Sequence, residues 1–233
     1  MSFDIICANC GAPSSPAMGV CPYCKSVMTT EVEKKTPAVG SIKKSFNDGQ
    51  LERALSLAKA LETQKPDSLK SKEFVLLYAQ ILLEAVGPST KIKALLNQAL
   101  VDYPSDPQLL DYLEIAEAES NLSREKDDAG EIALTNIIRR SPENVHALFV
   151  LGSHLFWVEK DAQRALRYLE QCVRLRPNFF RAKACLAAVY KALKMDDLAV
   201  RFCNECASKA PDPETKKFFA DFANTPLNFS PLS

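Results

Sequence analysis

Four of the chain's eight cysteines form two close pairs, Cys7-Ala8-Asn9-Cys10 and Cys21-Pro22-Tyr23-Cys24. A two-residue gap lets both thiolates of a pair point at one ion while amides of the tight turn face the sulfurs. Gly11, just past the first pair, permits the positive φ that such a knuckle uses. Two knuckles supply the four sulfurs that tetrahedral zinc prefers. The expected chemistry of Cys7, Cys10, Cys21 and Cys24 is therefore to hold one Zn2+. Four protein ligands close the coordination sphere and leave no position for an activated water, so the ion is structural, not catalytic.

A thermodynamic argument points the same way. The large apolar residues of this segment are Phe3, Ile5, Ile6, Val20, Tyr23 and Val27. A piece of this size lies below the roughly 40 residues at which a hydrophobic core alone sustains a fold. Order would have to come from metal coordination. The start, Met1-Ser2-Phe3-Asp4, lacks the basic region of a secretory signal. The expected compartment is the cytoplasm, where thiols stay reduced and a disulfide framework is disfavoured. No βαβ pattern surrounds either pair, which argues against thioredoxin-like redox chemistry.

Residues 5–28 resemble a short zinc ribbon, a family of paired CxxC knuckles on a small β-hairpin framework. Lys25 departs from the pattern, since the second knuckle of the family often carries glycine there. The departure touches the turn and leaves the four ligands in place.

The remaining candidates for chemistry read as packing. Cys203 and Cys206 make a third CxxC, with Cys172 and Cys185 in neighbouring helical segments, but free cysteine is a good small buried residue. His146 and His154, the two histidines, stand without a carboxylate or nucleophile at a telling spacing. Seven scattered glycines form no phosphate-binding loop. No catalytic constellation emerges, so the chain is not expected to be an enzyme.

The elements behind the cysteines are helical. Residues 29–40, TTEVEKKTPAVG, read as a linker closed by Pro37 and Gly40. From residue 41 to about 212 the apolar residues follow a helical period. Prolines recur at 66, 104, 142, 177 and 211, in steps of 38, 38, 35 and 34. The last two stretches align: Leu148-x-x-Leu151-Gly152-x-x-Leu155, Ala165-x-x-x-Leu169 and Cys172, against Leu186-Ala187-x-x-Tyr190, Ala199-x-x-x-Cys203 and Cys206. Small residues let two helices approach, leucines fill the layer between them, and the proline ends the second helix. This pattern resembles the tetratricopeptide repeat (TPR). The resemblance implies an all-α solenoid of about four to five helical hairpins over residues 41–212. A capping helix is expected over 213–225, with a tail at 226–233.

The resemblance also implies a concave groove lined by the first helix of each hairpin. Phe149 and Phe156 are expected on that inner face, with Trp157 beside them and Arg181 and Lys191 one repeat later. Aromatic anchors with adjacent cations suit an extended peptide or helix carrying acidic groups. Arg164, Arg167, Arg174 and Arg176 fall on a second helix and are expected to be a solvated outer face.

Charge bounds the partners. The net charge is zero, yet residues 45–138 carry 9 basic and 16 acidic side chains and residues 139–217 carry 15 and 9. No global field drives the chain onto nucleic acid or a membrane, and no apolar run approaches the roughly 18 residues of a membrane span. The expected function is a protein–protein interaction adaptor with the ribbon as a second contact module. The alternative is a transcription or translation factor binding nucleic acid through the ribbon. Lys25 is the single base of residues 1–28, which leaves little to neutralise phosphates.

Overall fold

The computed structural model describes residues Ile5–Ile6, Pro13–Ser14, 37–122, 128–210 and 212–225. It divides into two compact units, Met1–Thr36 and Pro37–Ser233. In the first, strands β1 (Ile5–Ile6) and β2 (Pro13–Ser14) pair antiparallel, Ile5 opposite Ser14 and Ile6 opposite Pro13. Cys7, Cys10, Cys21 and Cys24 lie outside the described residues, as do the linker up to residue 36 and the tail.

The second unit is built of helical hairpins: α1 (Val39–Asn47) with α2 (Leu51–Gln64), α3 (Lys72–Glu84) with α4 (Ser89–Asp102), and α5 (Pro107–Leu122) with α6 (Asp128–Arg140). Then follow α7 (Val145–Trp157) with α8 (Ala162–Leu175) and α9 (Phe180–Ala192) with α10 (Asp196–Ser208). Helix α11 (Pro213–Asn224) packs on α10. The first helices of successive hairpins touch one another, so α1, α3, α5, α7 and α9 form one inner layer.

Local chemistry sets the boundaries. Ser71, Asn144, Asp161 and Asp212 cap α3, α7, α8 and α11, each side chain accepting from the amide three residues on. Asp106 accepts from the amides of Gln108 and Leu109 at the start of α5. Pro66, Pro104, Pro142 and Pro177 each follow a second helix within two residues of its end. Among the described residues, the turn from first to second helix passes through a left-handed residue at Gly49, Val86, Lys160 and Lys194.

The hairpin layer is close-packed. A Cβ on Gly152 would lie 2.8 Å from Cγ of Leu169, so glycine sets the approach of α7 to α8. Ala54, Ala58, Ala165, Ala187 and Ala199 are fully buried where helices cross. Cys172, Cys185, Cys203 and Cys206 are free thiols buried in the same layers. Burial pushes Cys172 up to about 12 and Cys185 and Cys206 up to about 11.

One expectation is corrected. Arg176 is not on a solvated face: its side chain is 15% exposed and turns inward. It donates to Glu84 Oε1 (2.5 Å) and to the carbonyl of Phe46 (3.1 Å), and its guanidinium lies 3.7 Å from the Phe46 ring centre. Asn178 donates to the carbonyl of Asn47 (2.8 Å). The end of the first hairpin's α1 thus meets the loop between α8 and α9. Arg164 is likewise engaged, bound to Glu131 and Glu159.

Candidate interaction pocket on the inner face

Helices α7, α9 and α11 bound a pocket of about 620 Å³. Each contributes residues at helical spacing, so one stripe per helix faces the space: Val150, Ser153, His154 and Trp157 on α7, Arg181, Ala184, Cys185 and Ala188 on α9, and Phe218 and Phe222 on α11. Phe149, Val158 and Glu119 complete the wall. The volume lies in the range of small-ligand and anchor-residue sites, roughly 300–1,000 Å³.

The large rings are only partly covered. Trp157 is 48% exposed and Phe218 46%. Phe218 stacks on Phe222 at 5.7 Å between centroids. Arg181 is fixed from three sides: Nη1 donates to the carbonyl of Leu83 (2.6 Å), Nη2 lies 3.5 Å from Glu119 Oε1, and the guanidinium sits 4.8 Å from the Phe149 ring centre. Burial pushes the Glu119 carboxyl up, an effect that Arg181 opposes. The thiol of Cys185 accepts from Ser153 Oγ (3.7 Å) and is also bonded by Trp157; these contacts oppose the upward push of burial.

Of the residues expected in the groove, Phe149, Trp157 and Arg181 come together here. Phe156 does not line the pocket. It is 1% exposed and packs edge-on beneath Trp157 at 4.6 Å. Lys191 stands over the Phe222 ring at 4.5 Å and donates to the carbonyls of Phe222 and Thr225, tying down the end of α11. Phe218 and Phe222 of the capping helix form one wall of the pocket, while Phe219 is the ring that is buried. Glu119, Ser153 and Cys185 were not anticipated. The i, i+3, i+4, i+7 stripes of α7 and α9 carry the signal for Ser153 and Cys185, whereas Glu119 comes singly from α5.

Both histidines face a carboxylate, His146 that of Glu84 on α3 and His154 that of Glu159 in the turn just after α7. His146 Nε2 is 3.3 Å from Glu84 Oε1, and its Nδ1 is 3.1 Å from the Tyr112 hydroxyl. His154 Nε2 is 3.5 Å from Glu159 Oε1. Glu131, His154 and Glu159 are the one grouping of potential metal ligands among the described residues. The Arg164 guanidinium already binds both of its carboxylates, which makes the cluster an ion-pair network.

No protein-family profile and no curated protein matches this sequence. Among solved structures, the chain is similar to that of TTC0263, a thermophilic TPR protein in Thermus thermophilus. The TM-score is 0.51 at 14% identity, over 79% of this chain and 96% of that one. The array is TPR-like. Two structures of MamA align over 80% and 76% of this chain, with 18% and 19% identity and TM-scores of 0.38 and 0.40. Among the described residues, no helix of the TPR-like array is long and apolar enough to cross a membrane.

Proposed function

We propose that this chain is a non-catalytic adaptor that holds a protein partner on the inner face of its TPR-like array. The observation that carries the reading is the pocket between α7, α9 and α11, where two large rings, Trp157 and Phe218, stand half-exposed at the mouth of a concave, mostly apolar space. Half-exposed aromatics in a concavity are the usual anchors of protein recognition. A non-catalytic role is supported by the thiols that burial keeps protonated and by the occupation of the Glu131–His154–Glu159 cluster by Arg164.

The expectation of an acidic partner rested on Arg181 and Lys191. Both cations are engaged within the chain, Arg181 by Glu119 and the Leu83 carbonyl and Lys191 by carbonyls of the last helix. The pocket therefore offers apolar surface more than positive charge.

For the N-terminal region we propose one structural Zn2+ held by Cys7, Cys10, Cys21 and Cys24, in a module that gives the adaptor a second contact surface. Support comes from the doubled CxxC and from the ladder of Ile5–Ile6 with Pro13–Ser14, which joins residues on either side of the first pair. A hairpin framework for a ribbon has that connectivity. Thiolate ligands fit a reducing compartment, and the cytoplasm is the location we propose.

Affinity capture from the native cell with the full chain tests the adaptor reading. A partner captured by the wild type should be lost with Trp157→Ala and Phe218→Ala and kept with Ile132→Ala, which alters an exposed residue on α6. Equal recovery with all three would refute the assignment. Elemental analysis should find about one zinc per chain.

A further inference from the structure

The charges around the pocket are spent on the protein itself. Arg181 and Glu119 face each other, and the buried side of Arg181 is held by a backbone carbonyl. A carboxylate entering beside Arg181 would approach Glu119 as a like charge where water is partly excluded, which disfavours it. An uncharged side chain meets no such cost. It would cover Trp157 and Phe218 and remove their exposed apolar surface from water. The small Ala184 and Ala188 leave room for it along α9.

We propose that the pocket takes a segment of a partner protein that inserts an uncharged aromatic or branched aliphatic side chain against Trp157 and Phe218, and that the Glu119–Arg181 pair selects against acidic anchors. This rests on the reading that the inner face binds a protein partner, and it names the chemistry of that partner.

Random peptides displayed on phage, selected against the immobilised full chain, test it. Recovered peptides are then titrated against the protein by emission of Trp157, the only tryptophan in the chain. The expected consensus carries an aromatic or branched aliphatic residue with no acidic enrichment. Placing Asp beside that anchor should weaken binding by about tenfold or more, and Glu119→Gln, which leaves Arg181 unmatched, should narrow that gap. Phe218→Ala should weaken all recovered peptides.

An acidic consensus would overturn the proposal, as would an Asp penalty unchanged in Glu119→Gln. Enrichment seen only with Leu227→Ser/Phe229→Ser would name the chain's own residues 226–233 as the occupant. Emission that moves with protein concentration before any peptide is added would name a second copy. Failure to select any peptide, with the helical content intact, would remove the interaction reading itself.

Discussion

Arg176 Nε and Glu84 Oε1 meet at 2.5 Å across 92 residues of chain, with the Glu84 side chain only 3% exposed. Glu84 is the last residue of α3, and an acid at a helix C-terminus faces the negative end of the dipole. Arg176 offsets that cost, and His146 approaches the same carboxylate oxygen. Tyr112, bonded to the other nitrogen of His146, extends the network to the third hairpin. Four hairpins and the loop after α8 thus share one buried polar centre.

Breaking that centre from one side should be costly. Glu84→Ala leaves the Arg176 guanidinium withdrawn from solvent and unpaired, with an expected loss of about 3 kcal/mol in urea unfolding. Arg176→Met added to Glu84→Met should recover a large part of it, because a matched apolar pair carries no uncompensated charge. A double variant as unstable as the single one would show that the pair is needed for more than charge balance.

Val86 is 71% exposed and holds φ at 54°, in the left-handed region that a β-branched side chain avoids. Val86→Gly relieves that strain at the cost of greater freedom in the unfolded chain. The net should be a gain of about 0.5–1 kcal/mol, read as a rise of about 2 °C in Tm.

Asp106 should give the chain an acid-sensitive element. The hydrogen bond from Lys72, helped by the amides of Leu109 and Gln108, holds its carboxyl below the usual value despite the opposing effect of burial. A folded-state pKa below the unfolded one stabilises the fold above the unfolded value of about 3.9, and this contribution is lost as pH falls through the folded pKa. Asp106→Ala is expected to cost about 1 kcal/mol at pH 7 as a lost cap. The gap between the variant and the wild type should contract as the pH is taken below that range.

The thiols should fall into two classes. At pH 8, Cys172, Cys185, Cys203 and Cys206 should resist a thiol reagent, because burial holds all four above their ordinary values. Adding a strong chelator should release Cys7, Cys10, Cys21 and Cys24 for modification, as peptide mapping would show. Modification of those four before chelation would count against the zinc.

The hairpins were legible because their signals are local. Ala165, Gly152 and Leu169 lie within one repeat, and each proline acts on the helix just before it. Phe149 and Phe156 were harder to separate, since α7 is apolar on nearly every side and periodicity then selects no face. Arg176 was misplaced because its partners, Glu84 and Phe46, lie 92 and 130 residues away, beyond any spacing rule. Lys191 sat at the expected place, but its ammonium answers to carbonyls at the end of α11, which no side-chain pattern records.

The contacts of Phe46 and Asn47 with Arg176 and Asn178 bear on how the array comes apart. A stack whose members touch only their neighbours can unravel from an end, one member at a time, with the rest intact. Here the leading hairpin also rests on the seam behind the fourth, so peeling it away would uncover the guanidinium of Arg176 and the carboxylate of Glu84 together. Fraying from that end carries an ionic penalty, and melting should therefore be steep and nearly all-or-none.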